Sequence, residues 1–452
     1  MSEEAQDALG RHPYNYETRN KVRKSLRLSV FDGAAYSAML GLTQNYVTPF
    51  ALALKASTAQ IGLISSVPNL FSALAQLASP GLIVRTGSRK GLILPAAFID
   101  ALSWLPLFLL PFFFRSSGVW WLLGFYTVGM VADVMTWAPW GSMIADLVHE
   151  DIRGRYLGFR GRIGGIIALV FSIAAGAILQ VYTGHVFAGF AILFGGATVS
   201  RLLSFNFLSR MYEPPFTPES ADAPGVLQLI KDLGNSNLGK YTLYISLVLF
   251  GMMISGPFFS VFTLRDLHFS YVTFTVVTSS SAIASLFSLP FWGRRADRAG
   301  NLKIIKITSW LMPLIPFLWT LNTNPAYLAF ANVVSGFVWS GFNLASMNFV
   351  YDASAPAGRA KRIAVYNAFT FIAMCLGALL GGYMIPHLPK LLGFQMRTLF
   401  VISGVARVIV IVLLLRTIIE VRHVSDIGAL KLILGRSQFY KNDSEKPGGP
   451  VK

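Results

Sequence analysis

The chain has 452 residues, 54% of them hydrophobic and only 13% charged, with a formal net charge of +17. A soluble globular domain carries about 25% charged residues, so the composition excludes a water-soluble enzyme, a disordered chain and a secreted disulfide scaffold. The single cysteine, Cys375, leaves neither a disulfide framework nor a thiolate metal site. What remains is an all-α polytopic membrane protein.

In chain order, residues 1–27 come first, polar and basic, with Arg11, Arg19, Lys21, Arg23, Lys24 and Arg27. The apolar run behind them is too long for a signal-peptide core and lacks a clear cleavage site, so it reads as an uncleaved first span. Twelve stretches are long and apolar enough to cross a bilayer. They are 28–53, 58–84, 91–114, 118–147, 163–183, 185–208, 239–264, 269–292, 304–321, 325–351, 364–386 and 397–419. Barrel strands need only about 10 alternating residues, so runs of this length argue against a β-barrel. The long polar interruption at 209–238 holds Pro214, Pro215, Pro218 and Pro224 with Glu213, Glu219 and Asp222. It divides the chain into a cytoplasmic segment at 1–27, a six-helix bundle at 28–208, a cytoplasmic linker at 209–238, a second six-helix bundle at 239–420 and a cytoplasmic tail at 421–452. In the tail, Ile427, Leu430, Ile433 and Leu434 recur at helical spacing beside Lys431 and Arg436, a pattern suited to lying on the membrane surface.

Twelve spans put both termini on one side. The loops and tails of that side, with the helix ends beside them, hold 31 of the 38 Lys and Arg. The other side holds only Lys55, Arg115, Arg265, Lys390 and Arg397, while Arg201 and Arg407 fall within spans. Basic loops stay in the cytoplasm, so both termini are expected there. The same asymmetry accounts for the net charge without a nucleic-acid partner.

The halves repeat. Asp146, Arg153 and Arg155 recur as Asp352, Arg359 and Lys361 at one fixed offset, and at that offset Arg201 matches Arg407 and Arg210 matches Arg416. Arg85, Gly87 and Lys90 match Arg298, Gly300 and Lys303 at an offset seven residues longer. So many charged matches in so apolar a chain point to internal duplication.

The most specific local signal is Gly293-Arg-Arg-Ala-Asp297-Arg298-Ala-Gly300-Asn-Leu-Lys303, in a short turn between two apolar runs. Gly293 suits close helix approach, Asp297 can pair with an Arg or a helix N-terminus, and Gly300 permits a tight reversal. The sequence resembles the G-x-x-x-D-R-x-G-x-x-K loop of the major facilitator superfamily. The twelve spans, long central linker and repeat fit that family over residues 28–420. The Asp146/Arg153 and Asp352/Arg359 spacings are similar to the acidic-x6-Arg feature of the family's sugar porters, with Asp as the acid. The first copy departs from the pattern, with Pro80 at the glycine and Val84 at the aspartate.

The resemblance implies two pseudo-symmetric six-helix bundles that rock about a midplane site by alternating access. It implies no cofactor beyond an ion gradient, expected to be protons, and a monomer in the plasma (inner) membrane whose partners are lipid and a small-molecule substrate. It also implies a cytoplasmic gate, for which the candidates are Arg85, Gly87, Asp146, Arg153, Gly293, Asp297, Arg298, Gly300, Asp352 and Arg359. Their ion pairs would close the outward-facing state and break in the inward-facing one.

In the family, helices 1, 4, 7 and 10 line the cavity. Helix 4 carries Asp133 near mid-bilayer, where a charge costs at least about 2.5–3.5 kcal/mol on insertion scales. Burial favours the neutral form of a carboxyl, chemistry suited to binding a proton. Trp137 and Trp140 follow on the same helix face, with Pro139 able to bend the helix between them, and aromatics beside an acid suit a cation or a sugar ring. Tyr36, Gln44 and Asn45 from helix 1 and Asn332, Trp339 and Asn343 from helix 10 complete the candidates. Met252, Met253, Ser255 and Phe259 offer an adaptable wall on helix 7. Asp32 reads as an interfacial pairing residue, Asp100 and Arg201 lie at similar depth and are expected to pair, and Arg407, without an obvious acid, is expected to snorkel to the headgroups.

No Walker lysine loop, His-x-x-Glu-His or nucleophile–base pair is present, so the chain is not read as an enzyme or an ATP-driven pump. The expected function is a secondary transporter moving a small organic solute, coupled to protons. Two alternatives stay open. One is a transport-inactive receptor or assembly protein, which Val84 would suit and Asp133 and Asp297 oppose. The other is a lipid flippase.

Overall fold

The computed structural model describes residues 16–113, 117–215, 225–354 and 358–422. Expectations for Arg11, Arg115, Pro218, Glu219, Asp222, Pro224 and the tail from 423 lie outside the described residues. The regular elements among those residues are helices, apart from an isolated bridge between Leu391 and Phe394.

The first half holds α1 (Tyr16–Thr43), α2 (Val47–Ala53), α3 (Thr58–Thr86), α4 (Arg89–Phe113), α5 (Gly118–Leu147), α6 (Glu150–Val181) and α7 (Val186–Ser209). A short α8 (Val226–Lys231) lies in the linker. The second half holds α9 (Asn237–Ser255), α10 (Phe258–Val261), α11 (Tyr271–Ala299), α12 (Asn301–Leu311), α13 (Leu314–Leu321), α14 (Pro325–Ala353), α15 (Arg359–Met384) and α16 (Gln395–Leu414). Eleven helical stretches among the described residues are long and apolar enough to span a bilayer. The predicted first span is not one of them, because α1 begins in the basic segment and its apolar end is split off as α2.

Local chemistry explains the ends and breaks. Ser57 and Gln60 form a capping box at the start of α3, and Gly87 ends that helix in the left-handed region at φ 63°. Ser236, Ser270 and Asn324 cap α9, α11 and α14 through their side chains. Pro49 stands just past the junction of α1 with α2, and Pro257 and Pro313 stand within the junctions of α9 with α10 and α12 with α13. Proline cannot donate back to the preceding turn, so each loosens the helix there.

Two expected loops are helical. The basic stretch between the expected spans 118–147 and 163–183 is the start of α6, and most of the turn from Gly293 to Lys303 continues α11 to Ala299 and opens α12 at Asn301. Hydropathy marks only the part of a helix that sits in hydrocarbon, whereas Arg and Lys are good helix formers that extend it into the headgroup layer. Gly300, at φ 86°, makes the reversal.

Within the first half α1 packs on α6 and α7, α4 on α5 and α7, and α3 on α5; the second half repeats the scheme with α9 on α15 and α16 and α14 on α11 and α12. The halves meet along α3 with α15 and α6 with α11. Contact is closest at the face away from the basic loops. There a Cβ on Gly62 would lie 3.0 Å from Gly382 Cα, and one on Gly176 would collide with Thr275. Tyr46 donates to Ser172 O at 2.6 Å and bonds Thr275 Oγ1 at 2.8 Å across the same seam. Towards the basic face, a Cβ on Gly81, Gly154, Gly158 or Gly161 would meet nothing within 4 Å. A crevice between the halves therefore widens towards the basic loops.

Candidate functional site

Five helices of the first half bring their buried charges into one chain of contacts. Arg201 on α7 donates Nε to Asp100 Oδ2 on α4 at 2.6 Å and places Nη2 3.6 Å from Asp133 Oδ1 on α5. Its Nη1 donates to Ser204 Oγ at 3.0 Å, and Ser204 donates to Asp32 Oδ1 on α1 at 2.7 Å. Asp32 Oδ2 accepts from Arg160 Nη2 on α6 at 3.1 Å. Trp104 donates to Asp100 Oδ1 at 3.3 Å. With all five groups ionised, three carboxylates face two guanidiniums, leaving one negative charge in excess. Of the three acids, Asp133 is the most open, its side chain 16% exposed against 4% for Asp32 and 2% for Asp100.

Asp133 is held by two predicted companions. Tyr36 donates its hydroxyl to Oδ2 at 3.0 Å and Trp137 donates Nε1 to the same oxygen at 3.2 Å. The Arg201 guanidinium lies 4.9 Å from the Tyr36 ring centroid. Trp137 packs 6.2 Å from Phe371 on α15 of the other half, yet is 47% exposed, so its open face lies in the crevice. Met130, Met374, Leu77 and Phe371 surround this point as an apolar, adaptable wall. At the residue next to Asp133, Gln76 donates to Val134 O at 3.0 Å and accepts from Asn367 of the other half at 3.0 Å.

The remaining predicted residues are dispersed. Trp140 lies under the Arg160 guanidinium at 4.2 Å, beside the Asp32 pair and not beside Asp133. Gln44 and Asn45 occupy the exposed turn between α1 and α2. Asn332 donates to Leu328 O of its own helix and lines a separate cavity. Trp339 packs on Phe342, and Asn343 is exposed. Ser255 turns away from the crevice to bond Ser403 on α16 at 2.9 Å.

Asp32 and Asp100 find the kind of partners that depth and charge suggested. Arg407 does not reach the headgroups. It is 2% exposed and donates to Met312 O, Ser403 Oγ and Ser255 Oγ. Its helix position is too deep for the side chain to emerge, and the breaks at Pro313 and Pro257 supply acceptors instead.

At the basic face Asp146 and Asp352 are each engaged inside their own half. Asp146 accepts from the buried Arg89, and Asp352 accepts from Asn301 at 2.8 Å and pairs with Arg422 at 3.3 Å. Arg153 donates to Ala145 O and Val148 O, and Arg359 to Ser354 O, so each covers the carbonyl end of the preceding helix. Arg85 and Gly87 are exposed at the end of α3, as is Arg298 at the end of α11. Asp297 is exposed and bonds none of the described residues, so its expected Arg or helix-end partner is absent among them. Gly293 does not mediate close approach either: its Cβ would meet only Leu344, at an ordinary 3.8 Å. The tight crossing falls at Gly341, against Trp292.

Sequence reasoning missed Arg160, hidden in an expected loop, and the Gln76–Asn367 bridge, whose amides carry no charge to flag them. It also missed Arg89 as the partner of Asp146. The signal was present, since Arg89 and Asp146 stand at facing ends of neighbouring antiparallel spans.

A family model described as Major Facilitator Superfamily matches residues 29–264 and 241–439. The protein of Escherichia coli (strain K12) named "Probable multidrug resistance protein EmrY" is 28% identical over 110 residues, a stretch that is 24% of this chain and 22% of that protein. Among solved structures, a POT family transporter in complex with a thioalcohol-conjugated peptide superposes with a TM-score of 0.66 at 14% identity, over 88% of this chain and 96% of its own. The xylose transporter XylE from E. coli, in a partially occluded inward-open conformation, gives 0.65 at 12% identity over 90% and 100%. A point mutant of the nucleoside transporter NupG gives 0.64 at 16% over 88% and 100%. These likenesses are of fold alone.

Proposed function

The chain belongs to the major facilitator superfamily and is an integral membrane transporter; from that premise we propose that it moves a small, amphipathic organic solute by alternating access, coupled to protons through Asp133. The observation that carries the reading is the excess carboxylate of the buried cluster. A charge without a counter-charge is costly inside a membrane protein, and a proton or a cationic group of the solute cancels it. Asp133 is the acid placed to take either, being the most open of the three and bordering the crevice. The wall of Trp137, Phe371, Met130 and Met374 suits an amphipathic solute, and the short match to a protein named for multidrug resistance agrees with it. In this reading the basic face is cytoplasmic, and the crevice is the inward-open arm of the cycle.

The test is solute and proton flux in proteoliposomes, with solutes first screened by thermal stabilisation of the purified protein. Asp133→Asn removes the titratable group and keeps the Tyr36 and Trp137 contacts. Solute-driven proton movement is expected to vanish in that variant while the fold survives. Unchanged coupling in a folded Asp133→Asn protein would remove Asp133 from the scheme.

A further inference from the structure

The second half holds a buried cation that lacks an anion. Both terminal nitrogens of Arg407 donate to neutral oxygens, those of Met312, Ser255 and Ser403, and Nε has no acceptor. Its repeat counterpart Arg201 faces Asp100 and Asp133. In the second half Trp339 stands in the place of Asp133, and the Met312 carbonyl occupies the region that Asp100 fills in the first. A guanidinium does not deprotonate in proteins, so Arg407 keeps its charge among neutral partners.

A cavity of about 90 Å³ lies close by, with Ser260, Thr263, Thr278, Asn332 and Ser335 on its wall among the apolar Phe259, Phe274, Ile315 and Trp319. That is well above the 10–15 Å³ needed for one water. Arg407 is not itself in the wall, but register puts two of its acceptors one turn from it on two independent helices. Phe259, in the cavity wall, follows Ser255 by one turn, and Ile315, also in the wall, follows Met312 by one turn. Helical side chains lean towards the helix N-terminus, so Arg407 reaches past Ser403 in the direction of the cavity. The hydroxyls of Ser260 and Ser335 bond none of the described residues, which leaves two donors uncommitted at the wall.

We propose that Arg407 and this cavity form a binding site for a monovalent anion, either a halide or a carboxylate group. The anion supplies the counter-charge that carboxylates supply to Arg201. Phe259, which stacks on Phe400 at 4.5 Å and packs on Trp319 at 4.7 Å, stands between cation and cavity and must shift to admit it. The site stands apart from the transport reading, because binding alone reports it.

The experiment is thermal unfolding of the purified full-length protein in sodium chloride, sodium acetate and sodium gluconate at equal ionic strength, gluconate serving as reference because its six-carbon polyhydroxy chain is too bulky for the cavity. Chloride, acetate or both are expected to raise Tm saturably over gluconate. A chloride-only rise assigns a free halide, and an acetate rise assigns a carboxylate. Arg407→Gln abolishes the rise and Arg407→Lys keeps part of it. If Arg407→Gln does not fold, Ser335→Leu fills the cavity with Arg407 in place and abolishes the rise instead. The same Tm in all three salts, or a full anion response in a folded Arg407→Gln or Ser335→Leu protein, overturns the proposal.

Discussion

Glu213 and Glu420 hold the starts of corresponding helices in the two halves: Glu213 Oε1 accepts the backbone N–H of Arg89 at the start of α4, and Glu420 Oε2 accepts that of Leu302 at the start of α12, at 2.7 Å. Each carboxylate follows the last span of its half and folds back onto the positive end of the third. It satisfies N–H groups that a helix start leaves unpaired and complements the helix dipole. Glu213 also accepts from Ser88 Oγ at 2.8 Å. Glu213→Ala is therefore expected to lower unfolding stability by about 0.5–2 kcal/mol, the usual range for losing a helix cap. Glu213→Gln, which keeps an acceptor oxygen, is expected to lose less. Thermal unfolding in detergent reads both, and equal stability of all three proteins would show the cap to be idle.

The Asp100–Arg201 pair is buried on both sides, its side chains 2% and 3% exposed. Removing Arg201 strands Asp100 and Asp133 in a low-dielectric interior, an effect worth about 3–5 kcal/mol, whereas removing Asp100 leaves Arg201 its contact with Asp133. Arg201→Ala should destabilise by about that much, and Asp100→Ala by less. The double variant should cost less than the two together, since the Asp100–Arg201 interaction is lost only once, and the remaining cost is that of Asp133 losing Arg201. Simple additivity in the cycle would mean that the two residues do not act as a pair.

Gln76 and Asn367 join the halves beside the candidate site. Gln76 is fixed by Val134 O on the Asp133 helix, so the bridge ties the position of α15 to that of α5. A net hydrogen bond contributes about 0.5–1.5 kcal/mol, enough to move a two-state equilibrium about two- to tenfold. Gln76→Leu with Asn367→Leu is expected to shift the halves by that factor away from the arrangement seen here. Spin-label distances across the basic face would report it, and the one native cysteine, Cys375, is buried and leaves a clean labelling background. Unchanged distance distributions would show the bridge to be dispensable.

The span pattern, the repeat and the Asp100–Arg201 pair were legible because each depends on residue type and depth alone. Helix ends in the headgroup layer were not, since hydropathy falls there while helix propensity does not. Tyr36, Asp133 and Trp137 share a site because Asp133 and Trp137 lie four residues apart on one helix, which spacing reveals, and Tyr36 was named from its expected cavity-lining helix. Asn332, Trp339 and Asn343 share a face too, yet none reaches Asp133. A shared face says nothing about which half a side chain serves when the matching position in the repeat, Trp339, carries no charge. The environment of Arg407 was invisible for a related reason: its acceptors include a backbone carbonyl, and backbone oxygens have no sequence signature.

The basic-face residues are the last test. Asp146 and Asp352 spend their charge within their own halves here, while Asp297 is exposed and unbonded among the described residues. If the crevice closes at the basic face in the other arm of the cycle, α11 and α15 carry Asp297 and Arg359 towards the first half, where Asp146 and Arg153 are their complements. New pairs formed there would stabilise the closed face and compete with the bonds seen now. Asp297→Asn combined with Arg359→Ala is then expected to favour the basic-open arrangement and to slow transport, with a loss of unfolding stability no larger than the Arg359–Ser354 contact supplies, because Asp297 holds nothing in this state. Distances across the basic face and initial transport rates measure the two effects. If both were unchanged, these residues would serve only to set orientation and cap helices.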